Sequence, residues 1–252
     1  MDKIGKKIIT ASMTADDLCK IYKQDQPFIE SILQKKYQKL IKELRKGLGK
    51  FASQCYDVQT SNAFYKCSLC VQRSLGDCRI HIFIYIQETN EYVCVDDLAS
   101  ESNAKLFAYT PHYVQRYAQR FMQNPSLTIN QSFAAIERNF GICFKIYEDD
   151  KNEVMAMSEG LALAKINQAR DIVIYKTFIS TDLLKTSQVE AYEKVASLLE
   201  DFTPKFKSLG HYGSLYDSLV REVVNKVNEL NISLEDTQKI YGKFFQDQNE
   251  KN

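Results

Sequence analysis

The sequence predicts an α+β fold in which antiparallel meanders flank a helical hairpin, with helices at both termini. Three observations predict it. Apolar residues recur at helical spacing near both ends of the chain. They alternate with period two from Tyr65 to Tyr109 and again from Ile142 to Ser180. Between those stretches lie two segments with helix-start signals at Thr110-Pro111 and Thr128. Strand runs joined by turn-length connections imply antiparallel pairing, because parallel neighbours need a crossover of about a dozen residues.

In chain order, Thr14 followed by Asp17 is a capping-box start, and Ala15 to Lys46 is helical in composition. Pro27 divides that stretch at a first-turn position, so two helices are expected. The second carries Ile29, Leu33, Tyr37, Leu40, Ile41 and Leu44 on one stripe with lysines opposite, and Gly47 and Gly49 stop it. The clearest strand is Arg79 to Gln87, where Ile80, Ile82, Ile84 and Ile86 alternate with the other residues, the pattern of a half-buried strand. Tyr65 to Ser74 pairs with it across Leu75-Gly76-Asp77. Glu91 to Val95 follows the turn Thr89-Asn90, and Lys105 to Tyr109 completes the first meander.

Thr110 as N-cap and Pro111 at the first helical position open a helix with Val114, Ala118 and Phe121 on its apolar face, ended by Asn124-Pro125. Thr128 and Gln131 cap the next, which carries Ile129, Phe133, Ile136 and Phe140 and stops at Gly141. Ile142 to Tyr147, Val154 to Met157, Leu161 to Ile166 and Asp171 to Ser180 form the second meander, with Glu148 to Asn152 as a polar turn. Thr186 to Asp201, Ser214 to Glu229 and Ser233 to Gln246 return to helix. The expected organisation is 1–50 N-terminal helices, 51–184 an α+β core containing a module at 109–184, and 185–252 C-terminal helices.

Composition narrows the class of function without naming one. The 252 residues are 44% hydrophobic, and 33 basic residues almost cancel 32 acidic ones, so any electrostatic footprint must come from local patterning. Seven cysteines, an odd and scattered set, suggest reduced thiols, and the lead from Met1 to Met13 is too short in apolar length for a signal core; a cytoplasmic location is expected. No Gly-rich phosphate loop, Gly-x-Ser-x-Gly elbow or His-Glu-x-x-His is present, against P-loop enzymes, α/β-hydrolases and zincins. Cys67, Cys70, Cys78 and His81 have no common zinc spacing, and strand alternation sets Cys67 and Cys70 on opposite faces. No metal, cofactor or membrane partner is expected.

Two segments carry chemistry. His112, Arg116 and Arg120 follow at i, i+4 and i+8, in one row on a helix, opposite its core stripe. No Asp or Glu occurs from Ser102 to Ile136, so nothing in local sequence neutralises the arginines, and the segment is suited to an anion. The helix N-terminus and the arginines favour neutral imidazole at His112, the form a general base needs. Tyr109, Tyr113 and Tyr117 cluster around this helix and suit base stacking. The second segment is the strand end Tyr175 to Thr181, where Lys176, Thr177 and Ser180 offer a cation and hydroxyls to phosphate.

A helix bearing His112-x3-Arg116-x3-Arg120-Phe121, a helical hairpin, and strands ending in Lys176-Thr-Phe-Ile-Ser180 together resemble an uncharacterised bacterial family. More distantly they resemble the small toxin ribonucleases of the barnase, colicin and RelE type. The likeness covers Tyr109 to Leu184. It implies helices preceding a four-stranded antiparallel sheet, and His, Arg, Lys, Thr and Ser acting without metal. The function expected is RNA binding with metal-independent endoribonuclease chemistry. His112 moves the proton, Arg116 and Arg120 stabilise the phosphorane, and Lys176, Thr177 and Ser180 orient the phosphate. The alternative is a non-catalytic protein-interaction or anion-binding protein whose terminal helices pack on a protein partner. The two differ in whether His112 and the Lys176 strand end converge in one cleft.

Overall fold

A computed structural model describes residues 9–47, 49, 51–72, 78–96, 105–139, 143–157, 159–184 and 214–229, and within 192–205 all but 194, 195, 199 and 203. The fold is α+β, with a long N-terminal helix, a mixed sheet and a helix pair between the fifth and sixth strands. The chain forms two compact units, Met1–Phe140 with Ala164–Thr177, and Gly141–Leu163 with Phe178–Asn252.

The first unit begins with α1, Ala15–Lys46. Its start is the capping box expected: the Asp17 amide donates to Thr14 Oγ1 at 3.3 Å and the Thr14 amide donates to Asp17 Oδ2 at 3.2 Å. Pro27 does not divide it. One helix of 32 residues, about 48 Å long, runs through the proline. The buried stripe explains why, since Ile21, Tyr22 and Asp25 before Pro27 and Ile29 and Leu33 after it face the same core. The hydrogen bond missing at Pro27 lies on the exposed side of the helix, between two exposed residues, Lys23 and Pro27.

Strands β1 (Phe51–Gln59), β2 (Phe64–Gln72), β3 (Cys78–Ile86), β4 (Glu91–Cys94) and β5 (Leu106–Tyr109) form the expected antiparallel meander, with β1 as an unanticipated first member. The expected turn at Leu75-Gly76-Asp77 lies outside the described residues. Asn90 takes φ 53° in the β3–β4 turn, a left-handed conformation that Asn tolerates. One face of this sheet packs Tyr65, Cys67, Leu69, Ile82, Ile84, Ile86 and Val93 against the α1 stripe. The half-buried pattern expected for Arg79 to Gln87 does not hold, because Phe83 on the opposite face is 2% exposed. The covering elements are α2 (Pro111–Arg120) and α3 (Ile129–Asn139). Phe133 of α3 lies 5.0 Å from Phe83 and 5.2 Å from Tyr92 between ring centroids. Both helices start as their sequence signals require. Thr110 Oγ1 accepts from the Tyr113 amide at 3.2 Å, and Thr128 and Gln131 exchange bonds of 2.9 and 3.3 Å.

Two further strands, β8 (Gly160–Asn167) and β9 (Ile172–Ser180), contribute residues to both units. In the first unit β9 lies beside β5, and the two are parallel, with Leu106 opposite Ile172 and Tyr109 opposite Tyr175. This corrects the expectation of antiparallel pairing throughout. The connection from β5 to β9 passes through two helices and three strands, long enough to reverse the chain direction that a hairpin would impose.

In the second unit β6 (Cys143–Glu148) and β7 (Asn152–Met157) form an antiparallel hairpin. The polar run between them is a turn, as expected: Asp149 Oδ1 accepts from the amides of Lys151 and Asn152, each at 2.7 Å. The described residues within 192–205 are helical, and the last described helix, α4, spans Ser214–Glu229 as read from sequence. The helix expected at Ser233 to Gln246 lies outside the described residues. Among the described residues no helix is long and apolar enough to cross a membrane.

Candidate nucleic-acid interface

Helix α2 owes its position to its N-cap. Thr110 donates its amide to the Tyr175 carbonyl at 3.2 Å and its hydroxyl to the same oxygen at 3.1 Å, so the first turn is pinned to the β9 backbone. Tyr113 and Tyr117 face inward, each 2% exposed, together with Val114 and Ala118. The opposite face therefore presents His112, exposed, and Arg116 and Arg120, half-exposed, in the single row the spacing requires. Phe121, read from sequence as part of the apolar face, is 37% exposed.

Among the described residues no carboxylate forms an ion pair with Arg116. Its guanidinium donates to His112 Nε2 at 3.5 Å and to Gln119 Oε1 at 3.3 Å, both neutral partners. Partial burial, then the charges of Arg116 and Arg120, push the His112 imidazolium below the usual histidine range. His112 is thus neutral at pH 7, with Nε2 turned toward Arg116.

The other expected site residues do not join this row. Successive residues of β9 alternate faces. Ile172 and Ile174 pack in the core against α1, so Lys176 belongs to that side of the sheet, and its Nζ lies 3.6 Å from Glu91 Oε1. Tyr175 belongs to the α2 side, its ring centroid 5.7 Å from that of Tyr113. Thr177 shares that parity and is 8% exposed, while Ser180 is 2% exposed and its Oγ has no hydrogen-bond partner among the described residues. The sheet thus separates the Lys176 ammonium from the outward face of α2. Tyr109, Tyr113 and Tyr117, expected to stack bases, are instead buried; Tyr109 and Tyr113 stack on each other at 4.9 Å. Tyr113 turns to the sheet, where its ring meets Tyr109 and Tyr175, and Tyr109 in turn borders Phe83, Phe107 and Phe133.

Sequence reading missed the buried polar groups that hold this unit together. Glu91, 3% exposed, accepts from Arg170 at 2.7 Å and from Thr89 at 2.9 Å, while Arg170 also donates Nε to the Met13 carbonyl beside the start of α1. Lys66, 4% exposed, donates to Asp57 Oδ1 at 2.7 Å and to Asn130 Oδ1 at 2.5 Å, tying α3 to β1 and β2. On the same face His81 Nδ1 meets Glu137 Oε2, with Arg79 and Asp96 near. Glu137 gave a usable signal: it sits beside Phe133 and Ile136 on the apolar side of α3, and a carboxylate there requires a partner. The six cysteines with described side chains are free; Cys67 lies in the α1-facing core and Cys70 lies 3.7 Å from an Arg79 nitrogen. Among the described residues no cluster of His, Cys, Asp and Glu is arranged to hold a metal. No family model, curated protein or solved structure matches the chain.

Proposed function

We propose that the protein binds RNA through the outward face of α2, with Arg116 and Arg120 on phosphate oxygens. The observation that carries this reading is Arg116. It stands in a segment without an acidic residue from Ser102 to Ile136, and its two hydrogen-bond partners, His112 and Gln119, are neutral. A half-exposed guanidinium so placed retains its charge and its planar fork for a phosphate. The test is fluorescence anisotropy of labelled RNA with wild type and Arg116→Gln. Weakened binding across unrelated sequences supports the reading, and equal binding refutes it. Absence of salt-dependent affinity in the wild type favours the alternative of a protein-interaction module.

Metal-independent cleavage is a second reading, favoured by the neutral imidazole of His112. In that scheme Arg116 turns from His112 to the phosphate, His112 Nε2 takes the proton of a ribose 2'-hydroxyl, the 2'-oxygen attacks the adjacent phosphorus, and the 5'-oxygen leaves, taking a proton from water, to give a cyclic phosphate. Arg116 and Arg120 stabilise the phosphorane. The placement of Lys176 beside Glu91 gives no support to its share in the reaction. Labelled RNA incubated in EDTA with wild type and His112→Ala separates cleavage from binding alone.

A further inference from the structure

We infer that the stretch of α1 from Phe28 to Lys46 is a second nucleic-acid surface, a straight row of Phe28, Lys35, Lys39, Lys42 and Lys46 that takes a single-stranded chain. Successive members lie seven, four, three and four residues apart, close to multiples of the helical repeat, so their side chains leave one line of the cylinder. All five are exposed, Phe28 by 53% of its surface. Between Lys35 and Lys46 the helix carries six cations and a single acid, Glu43. Glu43 contacts Lys39 at 3.8 Å, both side chains being more than half exposed, a pairing of little energetic weight. Among the described residues Lys35, Lys42 and Lys46 form no ion pair.

The arrangement selects the partner. A small anion needs donors that converge on one point, whereas these lysines are spread over about 16 Å of helix axis, the distribution a linear polyanion meets. Lysine ammonium groups are point charges without a fork for base edges, which suits backbone contact independent of sequence. Phe28 adds an exposed ring at the end of the row, a stacking platform for an unpaired base, which a duplex does not offer. An anionic membrane would need apolar side chains to insert. The apolar stripe of α1, from Leu18 to Leu44, is already buried against the sheet, so Phe28 alone would be available. This surface is independent of α2: α1 packs on the sheet face lined by Ile82, Ile84 and Ile174, and α2 packs on the face lined by Tyr109 and Tyr175.

The experiment measures anisotropy of a labelled oligouridine over a salt series, using the full chain and three variants with matched thermal melts. The combined Lys35→Gln, Lys39→Gln, Lys42→Gln variant is expected to bind at least about tenfold more weakly and to lower the slope of log K against log salt by about 2, near 0.7 for each single-strand phosphate contact. Phe28→Ala is expected to lower affinity about tenfold without changing the slope, since stacking releases no counterions. Arg116→Gln with Arg120→Gln reports on α2 alone. If that variant abolishes binding while the lysine variant equals wild type, the α1 surface is refuted and the α2 reading stands. The converse refutes α2 and supports α1. Partial losses in both support both. No binding of oligouridine by the wild type, or binding to phosphatidylserine vesicles in its place, overturns the inference.

Discussion

His81 Nδ1 and Glu137 Oε2 lie 2.5 Å apart and fasten helix α3 to strand β3. Burial disfavours the imidazolium, but the charge and hydrogen bond of Glu137, with Asp96 beyond, outweigh burial and the repulsion of Arg79, and hold the His81 pKa above the usual value. A raised folded-state pKa means the unfolded chain loses the proton first as pH rises. The stabilisation is therefore complete below about 6.5, the ordinary histidine value, and is lost as pH climbs through the raised folded value. Urea midpoints between acidic and mildly alkaline pH should fall across that window in the wild type and stay flatter in Glu137→Gln. Removing Glu137 strands a buried cation, at a cost of about 3 kcal/mol at the acidic end.

Asp25 anchors the β1–β2 turn to α1. Its carboxylate accepts from Thr60 Oγ1 and Asn62 Nδ2, each at 2.6 Å, and from the Tyr65 hydroxyl at 2.8 Å. Asp25→Ala leaves three donors without their acceptor and should cost about 3 kcal/mol in denaturant unfolding, whereas Tyr65→Phe removes one bond and should cost about 1 kcal/mol. Equal, small losses in both would show that water replaces the carboxylate.

Gly160 adopts φ 146°, and a Cβ built there would stand 2.1 Å from the carbonyl oxygen of Ile179. Strain and backbone clash act together, so Gly160→Ala should lose about 2 kcal/mol or more of stability. A variant as stable as wild type in thermal melts would contradict the close approach of β8 to β9.

Pro27 leaves a gap in the hydrogen-bond ladder of an otherwise continuous α1. Alanine restores that bond on an exposed face, and Pro27→Ala should raise stability by about 1 to 3 kcal/mol. Destabilisation would show that the helix depends on the proline.

Local chemistry is legible in the sequence, and its long-range consequences are not. Thr14 with Asp17, Thr110 with Pro111, and Thr128 with Gln131 each act within one helical turn, and each stands where the sequence sets it. Strand β1 escapes notice because Cys55 and Val58 are its only fully buried residues, too few to write a period of two. The parallel pairing of β5 with β9 joins residues more than sixty positions apart, a relation that no window of sequence contains. Parity puts Lys176 and Thr177 on opposite faces of β9, but nothing in the sequence says that α1 covers one face and α2 the other. The tyrosines of α2 read as a surface because Val114, Ala118 and Phe121 fill the apolar role; in the fold Tyr113 and Tyr117 join Val114 and Ala118 in it and Phe121 is left partly exposed.

Whether the α2 row meets phosphate is decided by the salt dependence of RNA affinity in wild type and Arg116→Gln. Removal of one phosphate interaction should lower the slope of log K against log salt by about 0.7 to 0.9, with weaker binding to every sequence. His112→Ala should leave that slope nearly unchanged, because a proton-transfer group acts mainly in the transition state. A flatter slope is expected for Arg116→Gln than for wild type; identical slopes and affinities would contradict phosphate binding by α2.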